Sequence, residues 1–389
     1  MSDLEKLSED KEKESILLAE IGALLHDMGK CVDAHIEKKA FDCSQGFRYN
    51  YRKLEDIRRE AGMPNLLSPA PRLQILGEQV TIDQFVERSG FQWLIKTLKR
   101  CHGAAHIEKE ETDETGKQSR QDTRLSSPFG IEGDHVSGLT ALLKRLPWSD
   151  LQQREKFLPA LREAFEQALG ETRRPENEVT LWDWSLIVAA LYKAALAGAL
   201  LGYKPDPNEL RWRLLSVRFD GLGFLSEAHR IPDLLGRKEA LENALDKVKE
   251  LLEVEYPLGT EIYRDENGSI YVVPGCQDEN LQNLLDLKDE NGHTLRELIR
   301  EQFKRGLMKE QSEEPKEPIA GEIIPEIEVD EKPWWAQDPR WKTRQPGPRD
   351  EPPPIGDHLR TVATVPDLDA LSESWQSLSK PEEVCTVCG

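Results

Sequence analysis

Apolar residues recur three or four positions apart at Ile16, Leu17, Leu18, Ile21, Leu24, Leu25 and Met28. That spacing predicts a helix over residues 14–30, with Gly29 as its stop. The same period predicts helices over Phe91–His102, Val136–Leu146 and Leu151–Leu169, and a strongly apolar one over Leu181–Gly202. Between them, "IEKEETDETGKQSRQDTRLSSP" is polar and aperiodic, as an exposed loop is. The first two hundred or so residues therefore read as nearly all α.

The pattern changes at Leu214. "LLSVRFD" alternates and is β-rich, and "IPDLLGRKEALENALDKVKELLEV" has an apolar stripe through Leu234, Leu241, Leu245, Val248 and Leu252, with Pro232 near its first turn. "TEIYR" and "SIYVV" read as two strands, with Asn267-Gly268 as a hairpin turn signal. Strand, helix and hairpin form the first part of a ferredoxin-like β-α-β-β unit. A helical stretch follows between Glu279 and Gly306. From about Ser312 the chain is rich in Pro and Glu and can bury little, although Trp334, Trp335 and Trp341 imply that part of it docks on a surface. The expected fold is thus a mainly α N-terminal domain over 1–205, an α+β ferredoxin-like domain over 210–310, a Pro/Glu-rich linker or insertion over 311–384 and a short cysteine element over 385–389.

Composition narrows the function classes. The 389 residues carry a net charge of −20, which argues against a nucleic-acid binder held by bulk charge and leaves room for a local basic groove. No apolar run is expected to reach the length of a membrane span, and "MSDLEKLSEDKEKES" is no signal peptide. Six cysteines are too few for a disulfide framework, so the expected compartment is a reducing cytoplasm.

One feature of the first helix needs an explanation. His26 and Asp27 stand side by side at the end of an apolar stretch, where unsatisfied polar groups are costly. Both are good ligands for divalent first-row ions, and an ion held there would activate water against a phosphoester. The pair alone is better explained by a buried histidine bonded to a backbone carbonyl beside an aspartate that anchors the helix end or a loop. The longer string "ALLHDMGK" resembles the HD superfamily of metal-dependent phosphohydrolases. The helix that looks like that superfamily's opening helix comes later, at Leu181–Ala197, so the order is circularly permuted. Permuted HD domain, ferredoxin-like palm and terminal "CTVCG" together resemble the large subunit of type III CRISPR effector complexes, in its divergent Csx-type branch. "VRFDGLGFLSEAHRIPDLLGRKEAL" is similar to the start of that subunit's first palm, and "EIYRDENGSIYVVPG" to the palm's hairpin.

The resemblance implies a site made of His26, Asp27 and Lys30, with a divalent transition metal (Mn, Ni or Co) on His26 and Asp27. Where the relatives' "LWDHS" supplies a histidine, this chain has "LWDWS", with Trp184 in its place. Asp183 is adjacent, but helical neighbours point about 100° apart, so it does not simply replace the lost ring. The other candidate ligands are His102 and His106 in "CHGAAH" and Asp134 in "GDHVS". Each has an ordinary alternative: a surface or capping histidine, and an N-cap for the helix that follows.

For the palm, the resemblance implies that Asp220, Gly221 and Gly223 approach ATP and its Mg, although a plain tight turn explains such glycines as well. The Gly-Gly-Asp-Asp motif of nucleotide cyclisation lies on a second palm in that family and does not occur in this sequence. Cys385 and Cys388 form half of a Cys₄ zinc site, so the sequence reads as the N-terminal portion of a longer protein. The implied function is that of an RNA-guided defence subunit. Its partners would be other effector subunits, guide RNA, target RNA and single-stranded DNA, with no membrane. The alternatives are a free-standing HD nucleotide phosphohydrolase, or a non-catalytic scaffold with a degenerate HD fold, which Trp184 favours.

Overall fold

In the computed structural model, the described residues are 2–35, 53–105, 124–126, 132–133, 138–170, 176–177, 179–275, 283–307 and 323–334. An N-terminal helical region leads into a mixed α/β region with an antiparallel sheet.

The helical region is organised around α2 (Asp10–Leu25), which follows a single turn, α1 (Glu5–Ser8). Asp10 and Glu12 sit in the first turn of α2, where the positive end of the helix dipole favours carboxylates. From Ser15 to Leu25 nearly every side chain is buried, so α2 is a central helix rather than an amphipathic surface one. Around it come α3 (Leu54–Ala61), a hairpin of β1 (Arg72–Ile75) and β2 (Glu78–Thr81), α4 (Ile82–Glu87) and α5 (Trp93–Ala104). A Cβ on Gly22 would lie 2.8 Å from the Phe85 ring, so only glycine lets α4 come this close to α2. Three short strands, β3 (Arg124–Ser126), β4 (Glu132–Gly133) and later β5 (Glu176–Asn177), form a small sheet of order β4-β3-β5. Then follow α6 (Leu139–Arg145), α7 (Arg154–Phe165) and α8 (Leu181–Leu200).

α8 packs along α2. Among the described residues it is long and apolar enough to cross a membrane, contrary to the sequence expectation, but 78% of its apolar window is buried inside the protein. It also packs on α5 and on the second region's sheet: the Trp212 indole donates to the Leu191 carbonyl at 2.9 Å, and Gly198 lies against Pro274.

That second region runs β6 (Trp212–Arg218), α9 (Gly221–Ser226), α10 (Ile231–Glu250), β7 (Thr260–Asp265), β8 (Gly268–Pro274), α11 (Leu295–Leu307) and β9 (Glu326–Val329). The sheet order is β7-β8-β6-β9, with every neighbouring pair antiparallel. Strand-helix-hairpin-helix-strand with this order is a split β-α-β arrangement. β6 and β8 are buried at every position, as strands covered on both faces are. α10 and α11 pack together, with Gly306 against the backbone of Ala244, and Phe303 of α11 meets Phe219 just after β6 at 5.1 Å between ring centroids.

The stretch read as a linker or insertion over 311–384 supplies a strand, since β9 completes the sheet on β6; the docking expected of part of it is seen at Trp334, which bridges to Trp212 through backbone hydrogen bonds and ring contact at 5.3 Å. One expectation needs correction: the first region is not nearly all α, since the β1–β2 hairpin lies against α2. Its turn places Leu76 and Gly77 at φ 54° and 75°, the left-handed pair that a two-residue hairpin turn of type I′ uses.

Candidate metal centre

α2 stops one residue before the centre. His26 is its C-cap, and Asp27, at φ −118° and ψ 18°, leaves the helix for a 3₁₀ turn over Met28–Cys31. The break frees the two adjacent side chains from the 100° spacing that a continuous helix imposes. His26 and Asp27 are both fully buried.

His26 Nδ1 lies 2.6 Å from the Ala23 carbonyl oxygen. A carbonyl only accepts, so Nδ1 carries the proton and the Nε2 lone pair faces inward. Nε2 is 3.0 Å from His102 Nδ1, and the rings meet edge to face at 5.0 Å. Burial, reinforced by the nearby Arg88 and Lys30 cations and opposed by Asp27, lowers the His26 pKa from 6.5 to about 4. The imidazole is therefore neutral at pH 7.

Burial alone would raise the Asp27 pKa, but Lys30 and Arg88 reverse this and hold the carboxyl well below its ordinary range. Arg88 Nη2 donates to Oδ1 at 2.8 Å. Lys30 Nζ is 2.9 Å from Oδ2, which is also 3.7 Å from His26 Nε2. Oδ2 is buried and accepts no hydrogen bond of good geometry. Lys30 Nζ donates instead to the Gly170 carbonyl at 2.6 Å and sits 5.4 Å from the centroid of the Trp184 ring.

His102 comes from α5, which continues through Gly103 to Ala104. Its ring lies between His26 and Trp184, 5.6 Å from the indole. Trp184 thus lines the centre from the first turn of α8. Donor atoms of His26, Asp27 and His102 all fall within 4.8 Å of one another. Two imidazoles and a carboxylate suit a divalent first-row ion. Asp27 Oδ2, which accepts no well-formed hydrogen bond, and His26 Nε2, which would exchange the His102 Nδ1 hydrogen for the ion, fit such an ion, whereas the two cations beside Asp27 oppose it.

Arg88 was not legible as a site residue. It follows α4 at φ 49°, a left-handed conformation that costs a non-glycine residue about 1–2 kcal/mol. Nothing in "VERSG" distinguishes it from a surface arginine.

Other candidates are placed elsewhere. Asp183 is engaged at the start of its own helix. It closes a capping box with Thr180 at the start of α8: its Oδ2 accepts from the Thr180 hydroxyl at 2.7 Å and its backbone N–H donates to that hydroxyl at 3.1 Å. His106, Asp134, Cys385 and Cys388 lie outside the described residues. At the start of α6, Asp33 accepts from the N–H groups of Leu139 and Thr140 at 3.3 and 3.2 Å.

Asp220 caps α9, with Oδ1 accepting from Gly223 N–H at 2.9 Å. A Cβ on Gly221 would stand 1.7 Å from the Glu266 carbonyl oxygen, and one on Gly223 would strike the Asp220 carboxylate. Contacts within the chain thus explain both glycines as a tight turn.

No protein-family model and no curated protein matches the chain. Among solved structures it is distantly similar to a Csm1–Csm4 cassette in complex with pppApApA, at 15% identity and TM-score 0.46, over 95% of this chain and 49% of the other. A Csm1–Csm4 cassette in complex with cA3 matches at 16% identity and TM-score 0.41, over 70% of this chain and 41% of the other. The chain spans less than half the length of the solved chains it matches.

Proposed function

We propose that this chain is a subunit of a type III CRISPR RNA-guided effector, and that His26, Asp27 and His102 form a metal-dependent phosphodiesterase centre of the single-stranded DNA nuclease type. The observation that carries the site is the tautomer of His26: Ala23 takes the Nδ1 proton, so the lone pair is on Nε2, which faces His102 in one cluster with Asp27. A metal-ligating histidine is oriented by a carbonyl in just this way.

His26 Nε2, His102 and Asp27 Oδ2 would hold Mn, Ni or Co. Bound there, the ion would supply an activated water and Lewis acidity toward a phosphodiester. Arg88 holds Asp27 ionised and in position, and Lys30 adds positive charge where a phosphate would approach. Trp184 weakens the centre, because indole offers no lone pair and fills the space beside His102.

The second region is the first palm in this reading. Asp220, Gly221 and Gly223 would approach ATP with Mg, and a second palm would complete cyclic oligoadenylate synthesis. Cys385 and Cys388 would provide half of a zinc site. Guide RNA, target RNA, single-stranded DNA and other effector subunits are the partners, in the cytoplasm. The split β-α-β topology of β6 to β9 supports this part.

The test is cleavage of single-stranded DNA with Mn, Ni or Co. Weak cleavage is expected, abolished by His26→Ala and raised together with metal uptake by Trp184→His. Robust cleavage untouched by His26→Ala would overturn the assignment. A second reading, a non-catalytic scaffold, is favoured by the packing of Trp184 on His102. Under it, Trp184→His would raise neither metal uptake nor cleavage.

A further inference from the structure

The buried centre already contains its own cations. Lys30, 8% exposed, brings its ammonium to 2.9 Å from Asp27 Oδ2, the same oxygen that lies 3.7 Å from His26 Nε2. A divalent ion on that oxygen would sit about 2.0–2.2 Å from it. The ammonium and the ion would then be no more than about 5 Å apart, in a site closed to screening water. The two cations compete for one carboxylate oxygen.

Their anchors are unequal. Arg88 holds Oδ1 from a constrained backbone conformation and stays with the carboxylate. Lys30 has two further partners, the Gly170 carbonyl at 2.6 Å and the Trp184 face at 5.4 Å, so its ammonium can leave Oδ2 without losing every contact. Asp27 then remains ionised against Arg88. We infer that Lys30 is a competing cation that sets the metal affinity of the His26–Asp27–His102 centre, and that metal uptake displaces its ammonium from Asp27 Oδ2. This rests on the metal-centre reading above. It assigns Lys30 a role in metal loading, separate from any contact with substrate.

The test is calorimetric titration of the full chain with Ni²⁺ or Mn²⁺ alone, without nucleic acid. Lys30→Met keeps the apolar stem over Trp184 and removes the charge, and should bind at least about tenfold more tightly than the unmodified protein. Lys30→Arg keeps the charge and should stay close to the unmodified affinity. Lys30→Gln replaces the methionine variant if that one fails to give the native thermal transition. Tighter binding in the neutral variant alone supports the inference. Equal or weaker binding in Lys30→Met, beside measurable binding by the unmodified chain, overturns the inference and leaves the metal centre standing. Absence of binding in all variants overturns both.

Discussion

α2 and the turn after it carry two buried charged clusters, and they are completed differently. Glu20 lies in the middle of the helix, with Lys193 at 3.2 Å and the Arg154 guanidinium at 2.8 Å. Arg154 also reaches Glu253 at 2.7 Å, Lys193 donates to the Glu253 carbonyl at 2.7 Å, and Glu253 Oε1 accepts from the Glu261 N–H at 2.8 Å. Two carboxylates meet two cations, and the bonds join the helical region to the sheet region. Around Asp27, by contrast, one carboxylate meets two cations and two imidazole nitrogens face each other, while Oδ2 accepts no well-formed hydrogen bond. A balanced and satisfied cluster stabilises and links elements. An unbalanced one, with a buried carboxylate oxygen that accepts no well-formed hydrogen bond, is the better candidate for a ligand.

The comparison breaks most visibly if the balanced cluster proves dispensable. Glu20→Ala would leave Lys193, fully buried, without its carboxylate partner. Removing one member of a buried ion pair typically costs about 3–5 kcal/mol. Urea unfolding should show a loss of that size. A loss below about 1 kcal/mol would mean that Lys193 and Arg154 are served well enough by Glu253 alone.

Acid should separate the two clusters. The His26 pKa falls from 6.5 in the unfolded chain to about 4 on folding, mainly through burial. Between those values the unfolded chain binds the extra proton, so the stabilisation is complete above pH 6.5 and is lost as pH falls toward 4. The difference corresponds to about 3 kcal/mol. Glu20 behaves as a depressed carboxylate: burial pushes it up, Lys193 and Arg154 outweigh burial, and its pKa ends at about 2. Its contribution is present above pH 4.5 and lost only as pH falls toward 2. Urea midpoints measured from pH 7 to pH 4 should therefore decline first through His26, and His26→Gln should flatten that decline while lowering the whole curve. An unchanged slope would show that another group titrates there.

Much of the architecture was legible because burial follows period. The apolar spacing of "ILLAEIGALL" and "LWDWSLIVAALYKAALAGALLG" forecast α2 and α8, and Asn267-Gly268 forecast the β7–β8 hairpin. The missed elements are short or locally ambiguous. β1 and β2 have four residues each, and β9 sits in a Pro- and Glu-rich stretch where only pairing with β6 makes "EIEV" a strand. At the centre, the pair and His102 were readable as ligand types. Arg88 was not, since its role comes from a tertiary contact across 61 positions of sequence. Asp183 was ambiguous for a physical reason: carboxylates serve both as metal ligands and as partners in helix-cap hydrogen bonds, and the sequence shows the residue type without the partner.

Asp183→Ala is the smallest expected effect and the sharpest check on where the unbalanced cluster ends. The carboxylate bonds Thr180 at the start of α8, and Trp184 follows it directly. Losing half of a capping box should cost about 1 kcal/mol, because the Thr180 hydroxyl still accepts from the backbone N–H at position 183. Ni²⁺ or Mn²⁺ binding should be unchanged, since the donor atoms of His26, Asp27 and His102 come from other elements. The two readouts separate the roles cleanly. A cap residue lowers the thermal midpoint and spares the affinity, whereas a ligand lowers the affinity far more than the midpoint. Loss of metal binding in Asp183→Ala would extend the open cluster onto α8 and would make Trp184 a neighbour of a ligand rather than a replacement for one.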